Sequence, residues 1–166
     1  MTTGRILAAQ LEGTRDWTLK LIADLAGDAW SFQPGPGLAH PTWLCGHLAV
    51  SQHVLIFDRC MGRPMLPPEF VQHFPIGGPI KATSEHDYPP VASILDTMAD
   101  MQRRTLAAVM DMADDLLREP AFGAGGARHP HYSDKLGAVT HCIRHEAFHA
   151  GQLATIRRLV GLPALR

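Results

Sequence analysis

Residues 141–163 read "HCIRHEAFHAGQLATIRRLVGLP", and the spacing within them decides what the chain folds into and what it could bind. From Ser133 or Asp134, either a good helix N-cap, nothing interrupts a helical pattern until Gly161 and Pro163 stop it beyond Val160. His141, His145 and His149 recur every fourth residue, which places them within a sector of about 80° on that helix. Phe148, Ile156 and Leu159 share the sector and Cys142 and Leu153 rim it, whereas Arg144 and Arg158 lie well away. The stripe is therefore expected to face a core. Two imidazoles one turn apart in an apolar surround both need polar partners, and one metal ion satisfies both.

Residues 145–149 also match H-E-x-x-H, in which two helical histidines bind zinc and the glutamate is the general base of a metalloprotease. That chemistry needs a third ligand, usually downstream. Here Gln152 and Thr155 stand where the longer motif has Gly and His, and no Asp, Glu or His follows His149. Any third ligand must come from earlier in the chain.

Working outward, three more stretches show helical periodicity, separated by Pro and Gly clusters rather than by strand-like alternation. Helix one is expected from Gly4 to Asp28, with Leu7, Leu11, Thr14, Thr18, Leu21 and Leu25 on one face, before the turn "QPGPG" (33–37). Helix two runs from Thr42 to Met61, after Pro41 and before Gly62, with Trp43, Val50, Val54, Phe57 and Met61 inward. A long Pro- and Gly-rich crossover from Gly62 to Tyr88, with one short helix near Pro68 to His73, reads as functional or as a lid. Helix three follows Pro89 and Pro90 and keeps its apolar repeat from Val91 to Leu116. The economical architecture is an all-α four-helix bundle with a long crossover between helices two and three, one domain over residues 1–166.

Of the ten histidines, the upstream ligand candidates are His40, His47, His53, His73, His86, His129 and His131. Phase on helix two selects His47, about 40° from Trp43 and about 20° from Val54, while His53 points off that face. Asp58 shares the sector of His47 but lies about 16 Å along the axis, too far to join it. His47, His145 and His149 thus form a three-histidine set on two facing helices.

"WLCGHLAVSQHVL" (43–55) with "HCIRHEAFHAGQLATIRRLVGLP" (141–163), preceded by "QPGPG", resembles the DinB/YfiT-like superfamily of metal-binding four-helix bundles. The resemblance implies one divalent ion, zinc or nickel, on His47, His145 and His149. It implies that His141 is an accompanying histidine and not a ligand. It makes the H-E-x-x-H match coincidental, since the position of Glu146 varies in the family and lies about 100° round from His145. Relatives include S-transferases and isomerases using low-molecular-weight thiols, so a small-molecule metalloenzyme of thiol-transferase type is the leading expectation. The alternatives are a hydrolase using metal-bound water and a non-enzymatic stress-related binding or sensing bundle with a structural metal; a metalloprotease is not expected. The resemblance assigns no catalytic acid or base.

Fifteen Lys and Arg against sixteen Asp and Glu give a net charge of −1, which argues against nucleic acid or an anionic membrane as partner. Three cysteines, Cys45, Cys60 and Cys142, are expected as free core residues in a cytoplasmic protein; Cys142 lies on the edge of the same sector as His149 and is weighed as a ligand, but packing is preferred. Met98, Met101, Met110 and Met112 read as core filling. Leu136, Ile143, Ala147, Ala150 and Ala154, with Gly151, make a second weakly polar strip on helix four, expected to pack on the crossover or on a second protomer of a homodimer.

Overall fold

The computed structural model describes residues 2–122, 129 and 132–165. Four long helices carry the fold: α1 (Thr3–Ile22), α2 (Pro41–Gln52, prolonged by a π-helical turn over His53–Asp58), α4 (Val91–Met110) and α6 (Lys135–Leu159). Short helices α3 (Pro68–Val71) and α5 (Asp114–Leu117) lie in the connections. Among the described residues there is no β-strand, only an isolated antiparallel bridge between Pro120 and Asp134. Each of α1 and α2 packs against both α4 and α6, so the order round the bundle is α1, α4, α2, α6. The two helices that carry the histidine candidates are neighbours.

Each boundary has a local cause. Asp134 caps α6 by accepting from the Gly137 amide at 2.7 Å, the position expected from the sequence. Helix α1 stops at Ile22, short of Asp28, and Gly27 (φ 52°) turns the chain into a 3-10 turn over Gly27–Trp30. Helix α4 ends at Met110 and does not reach Leu116. Met112 and Leu117, 3% and 1% exposed, would lie about 140° apart on one continuous helix. Breaking the helix between them lets both reach the core.

Two hydrophobic clusters fill the interior. One gathers Leu7, Leu11, Leu55, Phe57, Met101 and Cys142, the other Leu21, Trp43, Leu48, Phe74, Met98 and Leu153. Along α1, α2 and α6 the residues separating the clusters are buried but polar, Arg15 and Thr18, Ser51 to His53, and Glu146 and His149, and on α4 the buried polar residues Gln102 and Thr105 follow Met101. A hydrogen-bonded layer therefore crosses mid-bundle. Arg15 Nε and Nη2 donate to the two carboxylate oxygens of Glu146 at 2.6 and 3.1 Å, and Nη1 donates to the Met98 carbonyl at 3.0 Å. Gln52 donates to Gln102, whose own amide donates to the Leu11 carbonyl. All four helices are tied.

The Arg15–Glu146 pair sets the rotation of α6. Its buried face is centred on Cys142, Glu146 and Leu153, rotated by about 80° from the expected histidine-centred stripe. His149 stays inside, His145 and His141 fall at the edge, and Phe148 and Leu159 are 65% and 56% exposed rather than inward. The crossover is fastened over α2. Phe74, fully buried, presses on Gly46, where a Cβ would lie 2.2 Å from its ring. His53 Nδ1 accepts from the amides of Met65 and Leu66 at 3.1 and 3.2 Å.

A buried ion pair broken on one side strands the other charge, whereas replacing both partners by apolar groups does not. Arg15→Met and Glu146→Leu should each lower the unfolding free energy by about 3–5 kcal/mol, and the double variant should recover most of the loss. Chemical denaturation of the three variants measures this.

Candidate metal centre

Trp43, near the start of α2, and His47 stand one turn apart, and their rings stack at 4.3 Å with 13° between planes. Stacking on a buried indole holds the imidazole against α6. From there His145 and His149 complete a triangle. His47 Nε2 lies 3.2 Å from His145 Nε2, which lies 3.1 Å from His149 Nε2. All three ligand atoms fall within 4.8 Å of one another, and the group contains no other histidine, cysteine or carboxylate. Two nitrogens bound at 2.0–2.1 Å in a tetrahedron stand about 3.3 Å apart. The cluster has close to that spacing.

The donors are held as neutral imidazoles. His149 Nδ1 faces Gln152 Oε1 at 2.6 Å; the amide oxygen can only accept, so Nδ1 carries the proton and Nε2 presents its lone pair. Burial, and then the neighbouring His149 and His145, push His47 down to about 3. Burial, with His149 and His141, pushes His145 down to about 4. His149 is also lowered by burial, against the raising effects of Gln152 and Glu146. The Nε2 atoms meet at hydrogen-bond distance from one another, and a cation at their centre would be met by all three once each presents its lone pair. The donor set could hold one divalent ion with a position left open. Ser51 Oγ stands 3.4 Å from His47 Nε2 at its edge.

The structure separates the other candidates from this cluster. His40 is buried at the N-terminus of α2, with Nδ1 accepting from the Trp43 amide and Nε2 donating to the Lys81 carbonyl. His53 is off the cluster as expected, yet it is buried rather than turned outward, because it secures the crossover. His73 and His86 pair with each other at 2.9 Å. His129 stacks on Tyr132 at 3.9 Å, and His131 lies outside the described residues. His141 is one turn before His145, ring centroids 6.1 Å apart, and is not in the cluster. Cys45, Cys60 and Cys142 are free and buried; burial raises all three thiols, Cys45 and Cys60 to about 12, as befits packing residues.

Glu146, the would-be base of the protease motif, is 2% exposed with both carboxylate oxygens committed to Arg15. The sequence-based expectation left it without a role; its partner lies 131 residues upstream, and apolar periodicity cannot reveal such a pair. A cavity of about 490 Å³ opens beside His145, walled by Ser51, Val54, Arg59, Tyr132 and His141 among others. A larger groove of about 570 Å³ between α1 and α4 contains none of the three histidines.

The family profile of the DinB superfamily matches residues 10–153. The chain belongs to the DinB superfamily. Among solved structures, one described as "the conserved protein of locus" from Enterococcus faecalis is similar over 96% of this chain and 98% of its own, with a TM-score of 0.64 and 17% identity. That likeness shows the DinB-type fold alone. No curated protein gives a significant match. No described helix is long and apolar enough to cross a membrane.

The depressed imidazoles give the metal-free protein a pH dependence of definite sign. The unfolded chain takes up protons near 6.5, while folded His47 and His145 take them up only at about 3 and 4. Their contribution is fully present above 6.5 and is lost as pH falls through the interval below it. The melting temperature of chelator-treated protein should fall steeply between about pH 6.5 and pH 4, and His47→Gln should flatten that slope.

Proposed function

We propose that this chain is a small-molecule metalloenzyme of thiol-transferase type, with one divalent ion, zinc or nickel, held by His47, His145 and His149. The observation that carries the reading is the convergence of three neutral Nε2 donors, one of which, on His145, belongs to a residue lining a cavity. A closed structural site would have four protein ligands; three leave room for a reactant. Bound there, a divalent ion would lower the pKa of a thiol or a water at its open position. His47 is held by Trp43, His149 by Gln152, and Ser51 offers a hydroxyl at the edge.

Transfer and hydrolysis make different demands on what surrounds the site. A hydrolase working through water profits from a free carboxylate or imidazole as general base. Glu146 is taken by Arg15, which leaves Asp58 and the cavity-lining imidazoles of His129 and His141 as the groups a hydrolase would have to use. A thiol delivered as thiolate needs no such base. Peptidase chemistry is outside the reading because Glu146 has no freedom to serve it.

Purified protein should contain close to one divalent ion per chain by elemental analysis. His47→Ala, His145→Ala or His149→Ala should each weaken binding by at least about tenfold, and His141→Ala and His53→Ala should retain the ion. Thiol-dependent consumption of small electrophiles, lost on chelation, should exceed thiol-independent hydrolysis. The reverse ratio would identify a hydrolase, and metal retained in the His145→Ala, His149→Ala double variant would refute the site.

The same reading includes a homodimer. The strip expected on α6 borders a groove of about 550 Å³ shared with α1, formed by Gly13, Thr14, Ala147, Gly151 and Ala154 with Trp17 at its side. The crossover does not line it, and Trp17 is 40% exposed. Light scattering should give twice the chain mass, and Ala147→Arg should reduce it to one without removing the metal.

A further inference from the structure

The cavity beside His145 has a second chemical end. In an uninterrupted helix Arg59 would lie about 120° round from His47, but the π turn before it lags by roughly one residue and brings it to about 20°. Its amide bonds to the Val54 carbonyl five residues back at 2.9 Å, the signature of that turn. The Arg59 carbonyl in turn accepts from the Phe122 amide at 3.1 Å, and the Ala121 amide donates to the Ser133 carbonyl. These bonds secure the segment carrying Tyr132 against the end of α2. Arg59 and Tyr132 then wall the same cavity as His145.

Each group keeps one buried donor without an acceptor among the described residues. The Arg59 side chain is 17% exposed and is ion-paired with Asp58 at 3.3 Å through Nη1. That distance is long for a charge-assisted hydrogen bond, and the Asp58 carboxylate is 39% exposed, so the pair contributes little. Nε of Arg59 is fully buried with no partner among the described residues. The Tyr132 hydroxyl, on a side chain 7% exposed, is also buried without one. Burial raises the Tyr132 phenol, against a lowering by the charge and proximity of the Arg59 guanidinium, which stands beside the hydroxyl but beyond hydrogen-bond distance, so the hydroxyl remains a donor. A guanidinium can donate five hydrogen bonds and leaving it desolvated and unpaired is costly. Two adjacent donors, one of them cationic, are satisfied together by one planar anion with two oxygens.

We propose that Arg59 and Tyr132 seat a carboxylate of the small-molecule ligand, in the cavity that His145 of the three-histidine cluster also lines. The ligand class is a low-molecular-weight thiol with a carboxylate a few bonds from sulfur. Val54, Leu55 and Ile76 supply apolar wall between the two ends, and about 490 Å³ suits a molecule of that size. The thiol end rests on the metal reading above; the carboxylate end rests on Arg59 and Tyr132 alone.

Calorimetric titration of zinc-loaded full-length protein with 3-mercaptopropionate and with its uncharged amide tests both ends. The wild type should bind the carboxylate at least about tenfold more tightly than the amide. Arg59→Gln should bring the ratio close to one, and Tyr132→Phe should reduce it severalfold, with amide affinity unchanged in both. The same comparison with sulfur-free butyrate and butyramide on chelated protein isolates the seat from the metal. Thiols binding equally to loaded and chelated protein would remove the metal reading and leave the seat standing if butyrate still exceeds butyramide. Equal affinity of carboxylate and amide in the wild type, or a preference undiminished in Arg59→Gln, would overturn the seat and mean that solvent alone occupies it.

Discussion

A guanidinium and a carboxylate withdrawn from water must meet, and in this bundle that requirement decides the rotation of the last helix. Arg15 and Glu146 bind through two parallel hydrogen bonds, and the third Arg15 nitrogen reaches a carbonyl of α4. The pair therefore fixes α1, α4 and α6 relative to one another with a directionality that apolar packing lacks. With Glu146 turned inward, His149 points into the interior and His145 stands at the boundary with α2. A helix rotated to put the histidines at the centre of its buried face would bury three imidazoles and expose the carboxylate. The observed rotation places the cluster between two helices, with a cavity at its side.

The electrostatics of that cluster follow from where it sits. The two hydrophobic clusters above and below supply a low-dielectric surround, which disfavours protonated imidazole, and the mutual proximity of the rings adds to the effect. Metal coordination requires the same neutral form. The folding energy spent on keeping three histidines uncharged thus prepares the donor set in advance, and Gln152 and Trp43 fix orientations that would otherwise have to be found at binding.

Much of this was legible in the sequence because it is local. The Asp134 cap, the stops at Gly62 and Gly161, the short helix at Pro68 and the four long helices all follow from residues within a few positions of one another. The phase of His47 against Trp43 and the four-residue repeat at the end of the chain were enough to bring together the three residues that the fold converges. Illegible features depended on distant partners or on backbone irregularity. Glu146 reads as a surface or motif residue until Arg15 is seen opposite it. Phe74 reads as one more residue of an irregular crossover until it is found against Gly46. Arg59 falls on the wrong side of an ideal helix, and Gln152 was the exception, since a residue three positions after His149 on a helix was always placed to reach it.

The π turn at His53–Asp58 has a consequence for how this helix can change. An added residue that bulges within a helix leaves both flanks helical but shifts their phase relative to each other, so the flanks are decoupled in rotation while remaining one continuous rod. The flank bearing His47 answers to the cluster, and the flank ending at Arg59 answers to the far wall of the cavity. Relaxing the turn to an α-helix at unchanged length would carry Arg59 about 100° round and swing that wall out of line without moving the histidine. The turn is thus a joint at which the chamber can change shape while the three histidines keep their places.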